Sequence, residues 1–311
     1  MNRIKGVVLG HAVADALGVP VEFCSRQELS DRPVATMLGF GSYPVPAGSW
    51  SDDTSMSLCA LDSLAKGKID YDEIMQNFGK WYYDGAFTPA GKMFDVGNTC
   101  SLAIHNYCNA GCAWKKCGLN DEQSNGNGSL MRIHPFVLYA HYKMMPLKDW
   151  EPMIYEASAL THAHERSKLG CGIYAYILMH LLTDPNIGTV NTALKRAELH
   201  YQDHKEFSHY ARIFSADFAE LNENEIRSSG YVVDTLEAAV WCLLTTNNYK
   251  DCVLKAVNLG RDTDTVAAVA GGLAGALYGY DAIPDEWLNT LIRREYIEDM
   301  CERAYKSRIE E

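Results

Sequence analysis

The sequence lacks the closely paired cysteines that mark structural zinc sites. Its 311 residues include ten cysteines, but no two form a C-x-x-C pair, and only Cys108, Cys112 and Cys117 form a loose group. Several others lie within apolar stretches, where cysteine behaves as a small hydrophobic residue. We therefore expect mostly buried, reduced cysteines in a cytoplasmic protein, and packing rather than metal binding for the loose group.

Positive charge is also scarce. The 28 lysines and arginines are outnumbered by 40 aspartates and glutamates, which gives a formal net charge of −12. Sequence-independent binding to nucleic acid depends on clustered basic residues that neutralise phosphates, so this balance argues against a nucleic-acid partner. A phosphate-bearing ligand would have to be bound by metal ions, backbone amides or a few selected side chains.

No apolar run is long enough to cross a membrane as a helix. The longest, Val266 to Tyr278, is too short for a bilayer, and its glycines and alanines suit close helix packing. His11 and Asp15 interrupt the apolar stretch near the N-terminus, so that stretch does not resemble a signal peptide. These features predict a soluble protein with no membrane partner.

Strand-like alternation is scarce, whereas apolar residues recur at helical spacing, as at Met56, Leu61 and Leu64. Glycine, proline and asparagine cluster between the periodic segments. No long linker, fixed repeat or low-complexity segment divides the chain. We therefore predict an all-α fold in one compact domain over residues 1–311, acting as a monomer. Further helices are predicted over 98–109, 166–183, 188–201, 207–221, 233–246 and 250–259.

An acidic segment, Ser51-Asp52-Asp53-Thr54, comes just before a helix predicted to start near Ser55. Serine or aspartate before a helix is a common N-cap, and acidic residues in a first turn are favoured by the helix dipole. Taken alone, the segment is therefore better explained as an ordinary helix start than as a functional site.

A second acidic segment, Asp262-Thr263-Asp264-Thr265, leads into the apolar run described above. Carboxylates at the start of a buried helix must be paired, hydrogen-bonded or metal-bound, because an isolated buried charge is strongly disfavoured. Together the two segments offer an all-oxygen set suited to hard cations, Mg²⁺ or Mn²⁺, and the absence of histidine and cysteine from both weighs against zinc.

A glycine- and asparagine-rich stretch, Gly126-Asn127-Gly128-Ser129, precedes Arg132. Its glycines permit close approach to a ligand, and consecutive amides in such a loop can bind an anion. Arg132 is a candidate partner for a carboxylate or a phosphate. On local pattern alone, a plain loop or helix cap explains the stretch better.

Two histidines, His162 and His164, flank a single alanine just before an apolar helix. Alternate residues at a helix start do not share one face, so at most one ring is expected to be functional. A lone histidine at this position is more often a cap or a packing residue. Only the presence of the other motifs makes His162 a candidate functional residue.

The ordered motifs resemble the ADP-ribosylglycohydrolase family, which includes dinitrogenase reductase-activating glycohydrolases, ADP-ribosylarginine hydrolases and J1 crystallins of the eye lens. The resemblance spans nearly the whole chain. The motifs that carry it are Gly10-His11-Ala12-Val13-Ala14-Asp15-Ala16-Leu17-Gly18 with Pro20-Val21-Glu22-Phe23, Ser51-Asp52-Asp53-Thr54, Phe94-Asp95-Val96-Gly97-Asn98-Thr99, Gly126 to Arg132, Thr161-His162, Gly230 to Glu237, and Gly260-Arg261-Asp262-Thr263-Asp264-Thr265.

This resemblance implies an orthogonal all-helical bundle that holds two divalent cations, Mg²⁺ or Mn²⁺, between the acidic segments. By position, Ser51, Asp52 and Asp53 would bind one ion, Asp262 and Thr265 the other, and Asp264 would lie between both. The family often has threonine at the position of Ser51, which keeps the hydroxyl, and glycine at the position of Ala14. Neither departure casts doubt on catalysis.

The resemblance also implies a mechanism, in which the ions fix the distal ribose and water attacks its anomeric carbon through an oxocarbenium-like transition state. Asp95 and Glu22 are the candidates for general acid or base, and Asp53 and Asp264 complete the catalytic set. The remaining roles are substrate binding: loop amides of Gly126, Asn127, Gly128 and Ser129 for the diphosphate, His162 for the diphosphate or distal ribose, and Tyr231 stacked on adenine.

Three functions remain open at this level. The leading one is removal of ADP-ribose from a protein side chain, most readily arginine. The second is hydrolysis of another linkage, such as serine-linked or O-acetyl-ADP-ribose or a small ADP-ribosyl compound. The third is a non-catalytic ADP-ribose binder or crystallin-like structural protein, because a fold does not fix a function. The intact acidic segments count against the third.

Overall fold

The computed structural model describes residues 1–307 of the chain. Within these residues, the regular secondary structure consists of helices. Only two isolated β-bridges occur there, between Leu119 and His162 and between Gly126 and Tyr231. The prediction of an all-α fold is therefore confirmed. The α-helices are α1 (Asn2–Gly18), α2 (Arg26–Asp31), α3 (Asp52–Leu64), α4 (Tyr71–Asp84), α5 (Asn98–Cys108), α6 (His134–Tyr142), α7 (Leu147–Ala159), α8 (Glu165–Thr183), α9 (Ile187–Tyr201), α10 (Val232–Leu244), α11 (Tyr249–Asn258), α12 (Thr263–Tyr278), α13 (Asp285–Thr290) and α14 (Arg294–Lys306).

The centre of the fold is the contact between α1 and α12, whose backbones meet at glycines. A Cβ atom placed on Gly275 would lie 1.8 Å from the carbonyl oxygen of Gly6, and one on Gly271 would lie 2.4 Å from that of Gly10. No side chain fits between the two helices at these points. The ends that carry acidic residues approach as closely, since a Cβ on Gly18 would lie 2.4 Å from the Cα of Asp264.

The other helices surround this central pair. Helices α8, α10 and α11 pack against α12, while α3, α6 and α14 pack against α1. Outside them, α4 packs on α3, and α7 and α9 pack on α8. One hydrophobic core cluster runs through these layers from Ile4 to Cys301. Both acidic segments therefore begin helices that lie deep in the fold.

Helix α1 is apolar enough to be mistaken for a membrane span. Residues Asn2–Val21 meet the length and hydropathy expected of one, but 89% of the apolar window is buried inside the protein. The helix has almost no amphipathic character because nearly every side of it faces a neighbour, with α12, α3, α6 and α14 all in contact. Burial of this kind is typical of the core helix of a helical protein.

Five of the six helices predicted by residue range are present as α5, α8, α9, α10 and α11. The helix predicted over 207–221 is wrong. The segment instead forms three 3-10 helices, Phe207–His209, Ala211–Phe214 and Phe218–Glu220, interrupted by extended backbone at Ser215. Phe207, Tyr210 and Ile213 recur at every third residue, which a 3-10 helix places on one side as readily as an α-helix does.

The cysteines are mostly buried, as predicted. Seven of the ten are buried and all ten are free thiols. In the loose group, Cys108 is exposed, Cys112 is half-buried and Cys117 is buried. The Cys117 thiol lies 3.4 Å from the carbonyl oxygen of Ala113, consistent with loop packing.

The glycine contact between α1 and α12 makes a stability prediction. Gly275→Ala should lower the free energy of unfolding by more than about 2 kcal/mol, because the added methyl group meets backbone that cannot move without shifting a helix. Urea denaturation measures the change. The matched control is Gly97→Ala, where a Cβ would meet nothing within 4 Å and φ is −68°. Equal stability of the two variants would contradict the close backbone contact.

Candidate functional site

The first acidic segment forms the N-terminus of α3. Ser51 is the N-cap in extended conformation, and its hydroxyl accepts a hydrogen bond from the Asp53 amide at 3.3 Å. The same hydroxyl donates to Asp53 Oδ2 at 3.0 Å. Asp52 and Asp53 occupy the first turn, and both are buried. The capping explanation is thus correct for Ser51, but it does not account for two buried carboxylates.

Asp15 anchors the N-terminus of α3 through hydrogen bonds, a role that was not predicted from the sequence. Its carboxylate accepts hydrogen bonds from the Ser51 amide at 3.0 Å, the Thr54 amide at 3.1 Å and the Thr54 hydroxyl at 2.6 Å. Asp15 lies in the last turn of α1 and is fully buried. The signal in the sequence was an ionisable residue inside an apolar helix, at a position that also belongs to the first of the family-like motifs.

The second acidic segment forms the N-terminus of α12 and meets the first. Asp262 is the N-cap, and Asp264 lies in the first turn. The Thr265 hydroxyl donates to Asp53 Oδ2 at 3.3 Å, which joins segments that are more than 200 residues apart in the chain. The convergence expected from the sequence is therefore present.

The carboxylates form two groups that share Asp264. Oxygens of Asp15, Asp53 and Asp264 lie within 4.8 Å of one another, and so do oxygens of Glu22, Asp95 and Asp264. Within the described residues, Asp53 Oδ1, Asp262 Oδ1 and Glu22 Oε2 are buried without a hydrogen-bond partner. Buried, unpaired carboxylate oxygens need protons or cations. This donor set fits hard divalent cations such as Mg²⁺ or Mn²⁺.

Electrostatics at the cluster favour the protonated acids when no cation is bound. Burial, followed by the charge of Asp95, raises the pKa of Glu22 to about 8. Burial raises the pKa of Asp15 to about 6 against the opposing effect of its hydrogen bonds. Burial and neighbouring carboxylates also raise the pKa values of Asp52, Asp53 and Asp264 well above the usual range.

Tyr43 is a second residue that the sequence analysis missed. Its hydroxyl is near the carboxylates of Glu22 and Asp95 and lowers the pKa of each in part. The ring packs against Phe94 with centroids 5.1 Å apart. Tyr43 lies in an irregular loop, where no periodic pattern marks the direction of a side chain.

A cavity of about 460 Å³ opens beside the acidic cluster. Its volume is within the range of small-molecule sites. Its lining includes the carboxylates of Glu22, Asp52, Asp95 and Asp262 as well as the 126–128 loop and His162. Asp53 and Asp264 are almost fully buried. The cavity therefore combines several carboxylates with loop backbone and one imidazole.

The loop residues divide between structural and lining roles. Asn127 Nδ2 donates to Asp262 Oδ2 at 2.9 Å and to Thr235 Oγ1 at 2.8 Å, so this side chain ties the loop to the start of α12. Gly126 and Gly128 line the cavity. The Ser129 hydroxyl instead contacts Ser158 Oγ at 2.9 Å, which leaves only the Ser129 backbone to serve a ligand.

Arg132 does not occupy the position that its sequence suggested. It is fully buried, and its guanidinium donates to Thr161 Oγ1 at 2.8 Å and to the Ala157 carbonyl at 3.2 Å. The prediction of direct pairing with a carboxylate or phosphate is therefore wrong. The turn that follows Ser129 directs Arg132 into the core, where its guanidinium stacks on Phe78 at 4.9 Å.

His162, His164 and Tyr231 lie in three different surroundings. His162 is buried and lines the cavity, whereas His164 caps α8 by accepting a hydrogen bond from the Arg166 amide. Tyr231 precedes α10 and lines an adjoining cleft, with Arg166 6.0 Å from its ring centroid. Its neighbour Gly230 lines the acidic cavity, so Tyr231 lies at the boundary between the two spaces.

Comparison with known proteins finds one family over the full length of the chain. The family profile described as ADP-ribosylglycohydrolase matches residues 1–311. The chain is 33% identical to "ADP-ribosylarginine hydrolase Tri1" of Serratia proteamaculans, covering 98% of this chain and 79% of that protein. It is 32% identical to "ADP-ribosyl-[dinitrogen reductase] glycohydrolase" of Rhodospirillum rubrum, covering 93% and 90%. A solved structure, "ADP-ribosylglycohydrolase-related protein complex", superposes with a TM-score of 0.83 at 31% identity, covering 99% of this chain and 98% of that chain.

The acidic cluster predicts how stability depends on pH and on divalent cations. The raised pKa values of Glu22 and Asp15 mean that protonation stabilises the metal-free fold, and this stability is lost as pH rises through the folded-state pKa values, about 6 for Asp15 and about 8 for Glu22. Without divalent cations, Tm should fall by at least about 2 °C between about pH 5 and about pH 8. Added Mn²⁺ should restore Tm chiefly at the higher pH, because a cation held by the deprotonated carboxylates of the folded state would stabilise that state alone.

Asp264→Asn provides the control for this prediction. Removing the charge shared by both carboxylate groups should raise the metal-free Tm at high pH and reduce the shift that Mn²⁺ produces. Differential scanning calorimetry in a chelated buffer measures both effects. A metal-free Tm that rises with pH, or an unchanged Mn²⁺ shift in the variant, would contradict the electrostatic description of the cluster.

Proposed function

Because the chain belongs to the ADP-ribosylglycohydrolase family, we propose that it is a metal-dependent hydrolase that removes ADP-ribose from modified arginine side chains of proteins. The observation that carries the proposal is the contact between Thr265 and Asp53, which unites two acidic helix starts beside one cavity. Relatives named for arginine-linked and dinitrogen reductase-linked ADP-ribose support the choice of substrate.

We assign the cation-binding role to oxygens of the two acidic segments. Two ions, Mg²⁺ or Mn²⁺, would be held by Ser51, Asp52, Asp53, Asp262, Asp264 and Thr265. When bound, they would supply fixed positive charge that orients the ribose hydroxyls and activates water. The unpartnered buried oxygens of Asp53 and Asp262 support this assignment, because each would otherwise remain desolvated without compensation.

The residues of the chain position the distal ribose and stabilise charge at its anomeric carbon. The carboxylates that line the cavity would lie beside the point where an oxocarbenium-like transition state gathers positive charge. Glu22 and Asp95 are the lining carboxylates to which we assign proton transfer, with Glu22 Oε2 free to carry the proton. One of them would protonate the leaving guanidine nitrogen or accept the proton of the attacking water.

The glycine loop and His162 suit the diphosphate. Backbone amides at Gly126, Gly128 and Ser129, together with His162, would donate hydrogen bonds to it, whereas the Asn127 amide already donates to the Gly230 carbonyl at 3.0 Å. Tyr231, at the boundary with the adjoining cleft, would stack on adenine. The chain would act as a monomer in the cytoplasm on an ADP-ribosylated protein, without nucleic acid or membrane as a partner.

A panel of substrates tests this function. The protein should release ADP-ribose from arginine-linked substrate in Mg²⁺ or Mn²⁺, and release should stop in EDTA. Asp264→Asn and Asp95→Asn should each lower kcat by at least about a hundredfold, since each removes a carboxylate from the acidic site. Mass spectrometry of released ADP-ribose measures the rate, and Asp203→Asn, an exposed acid outside the site, should retain wild-type activity.

Other outcomes identify the remaining functions. Faster release from serine-linked ADP-ribose or O-acetyl-ADP-ribose would overturn the arginine assignment but keep the hydrolase. Tight binding of ADP-ribose without turnover of any substrate would instead indicate a binder. Activity that persists in EDTA would contradict metal dependence.

A further inference from the structure

Arg132 is a buried cation without a carboxylate partner among the described residues. Its Nη2 atom donates to Thr161 Oγ1 at 2.8 Å, and its Nη1 atom donates to a backbone carbonyl at 3.2 Å. Desolvating a guanidinium is costly, so the groups that accept its hydrogen bonds must compensate for its burial. The side chain among these acceptors is Thr161, through its hydroxyl.

Thr161 lies between Arg132 and the imidazole that faces the cavity. Its Oγ1 atom is 2.8 Å from His162 Nδ1. A guanidinium can only donate hydrogen bonds, so the hydroxyl must accept from Arg132. The single proton of the hydroxyl is then free to be donated to Nδ1, which makes Nδ1 an acceptor.

His162 is neutral in this environment, because burial and the charge of Arg132 lower its pKa to about 3. A neutral imidazole carries one proton, on either Nδ1 or Nε2. If Nδ1 accepts from Thr161, the proton must reside on Nε2. The backbone around the ring is fixed by hydrogen bonds from the His162 amide to Ser158 and from the Ala163 amide to Leu119.

The edge of the ring formed by Cε1 and Nε2 lies against the glycine loop. A Cβ on Gly126 or on Gly128 would lie 3.5 Å from Nε2, and both glycines line the cavity with His162. Four carboxylates line the same cavity, and one of them, Asp262, is hydrogen-bonded to Asn127 of the loop. A phosphate group bound beside the loop therefore needs hydrogen-bond donors, whereas a nitrogen lone pair at Nε2 would repel it.

We infer that Arg132 and Thr161 are positioning residues that hold His162 as the Nε2–H tautomer, so that the imidazole donates a hydrogen bond to a phosphate oxygen of the ligand. Neither residue touches the ligand. The identity of the ligand rests on the proposed function, whereas the tautomer follows from the protein alone.

A competing arrangement reverses the hydrogen bond. In it, His162 Nδ1–H would donate to Thr161 Oγ1, and the hydroxyl would donate to the nearby thiol of Cys100. Sulfur is a weak acceptor and an imidazole nitrogen is a stronger one, so the first arrangement is favoured. The two arrangements place the proton on different nitrogens, which makes them separable by experiment.

The first test is the ¹⁵N NMR spectrum of histidine-labelled full-length protein. The wild-type His162 signals, assigned by their loss in His162→Gln, should show a protonated Nε2 and an unprotonated Nδ1. Thr161→Ser should keep this pattern, and Thr161→Val should change it, because valine has no hydroxyl proton. A protonated Nδ1 in the wild type would overturn the inference.

Thr245→Val is the matched control for removing a threonine hydroxyl. The Thr245 hydroxyl likewise accepts from a cation, Lys255 Nζ, and donates to a carbonyl, that of Trp241, but outside the cavity. It should leave the His162 signals unchanged. The buried imidazoles of His11 and His134 serve as internal references, because a general structural change in Thr161→Val would move their signals as well.

The second test is binding of ADP-ribose by calorimetry. Thr161→Val should weaken Kd about tenfold, the effect of losing one hydrogen bond to a charged group, while Thr161→Ser and Thr245→Val should bind as the wild type does. Adenosine, which lacks phosphate, should bind all four proteins equally.

The NMR test and the binding test examine separate parts of the inference, so either can give a negative result without the other. Unchanged ADP-ribose affinity in Thr161→Val, with an altered tautomer, would overturn the ligand contact alone. No binding of ADP-ribose by the wild type would count against the proposed function, yet the spectrum would still decide the tautomer. Arg132→Lys, which keeps the charge but loses the planar geometry, should also perturb the Nδ1 signal, and an unperturbed signal would remove Arg132 from the inference.

Discussion

The direct backbone contact between α1 and α12 is the constraint on which the rest of the structure depends. Glycines on both helices allow carbonyl oxygens of one helix to touch the other, as at Gly6 and Gly275. This contact brings the C-terminal end of α1 against the N-terminus of α12, so that Asp15 and Asp264 approach each other. A larger distance between α1 and α12 would move Asp15 away from Asp53 and Asp264 and so break up the carboxylate group.

The same constraint concentrates negative charge where protein interiors normally exclude it. Burial raises the pKa of every carboxylate in the two groups, so the fold holds these side chains together against their mutual repulsion. Burial of the surrounding apolar core stabilises the fold and offsets the unfavourable free energy of holding these carboxylates together. Functional sites of many enzymes are destabilising in this sense, and stability gained elsewhere compensates for them.

Sequence patterns predicted some levels of this structure better than others. Apolar periodicity identified most helices, since it reports which face of a segment is buried, but it failed over 207–221, where three-residue spacing fits a 3-10 helix equally well. The ordered motifs indicated that residues near 52 and 264 meet. The partners of Arg132 and the role of Tyr43 depend on how a side chain is directed within the folded chain, which no local pattern records.

The placement of α1 and α12 also affects how the protein is made. Helix α1 is complete at Gly18, whereas its main partner begins at Thr263. At ordinary rates of translation, roughly 10 to 50 s separate the synthesis of the two helices. Throughout that interval the nascent chain carries an apolar helix that lacks its main covering surface, so we expect ribosome-associated chaperones to bind this segment until α12 emerges.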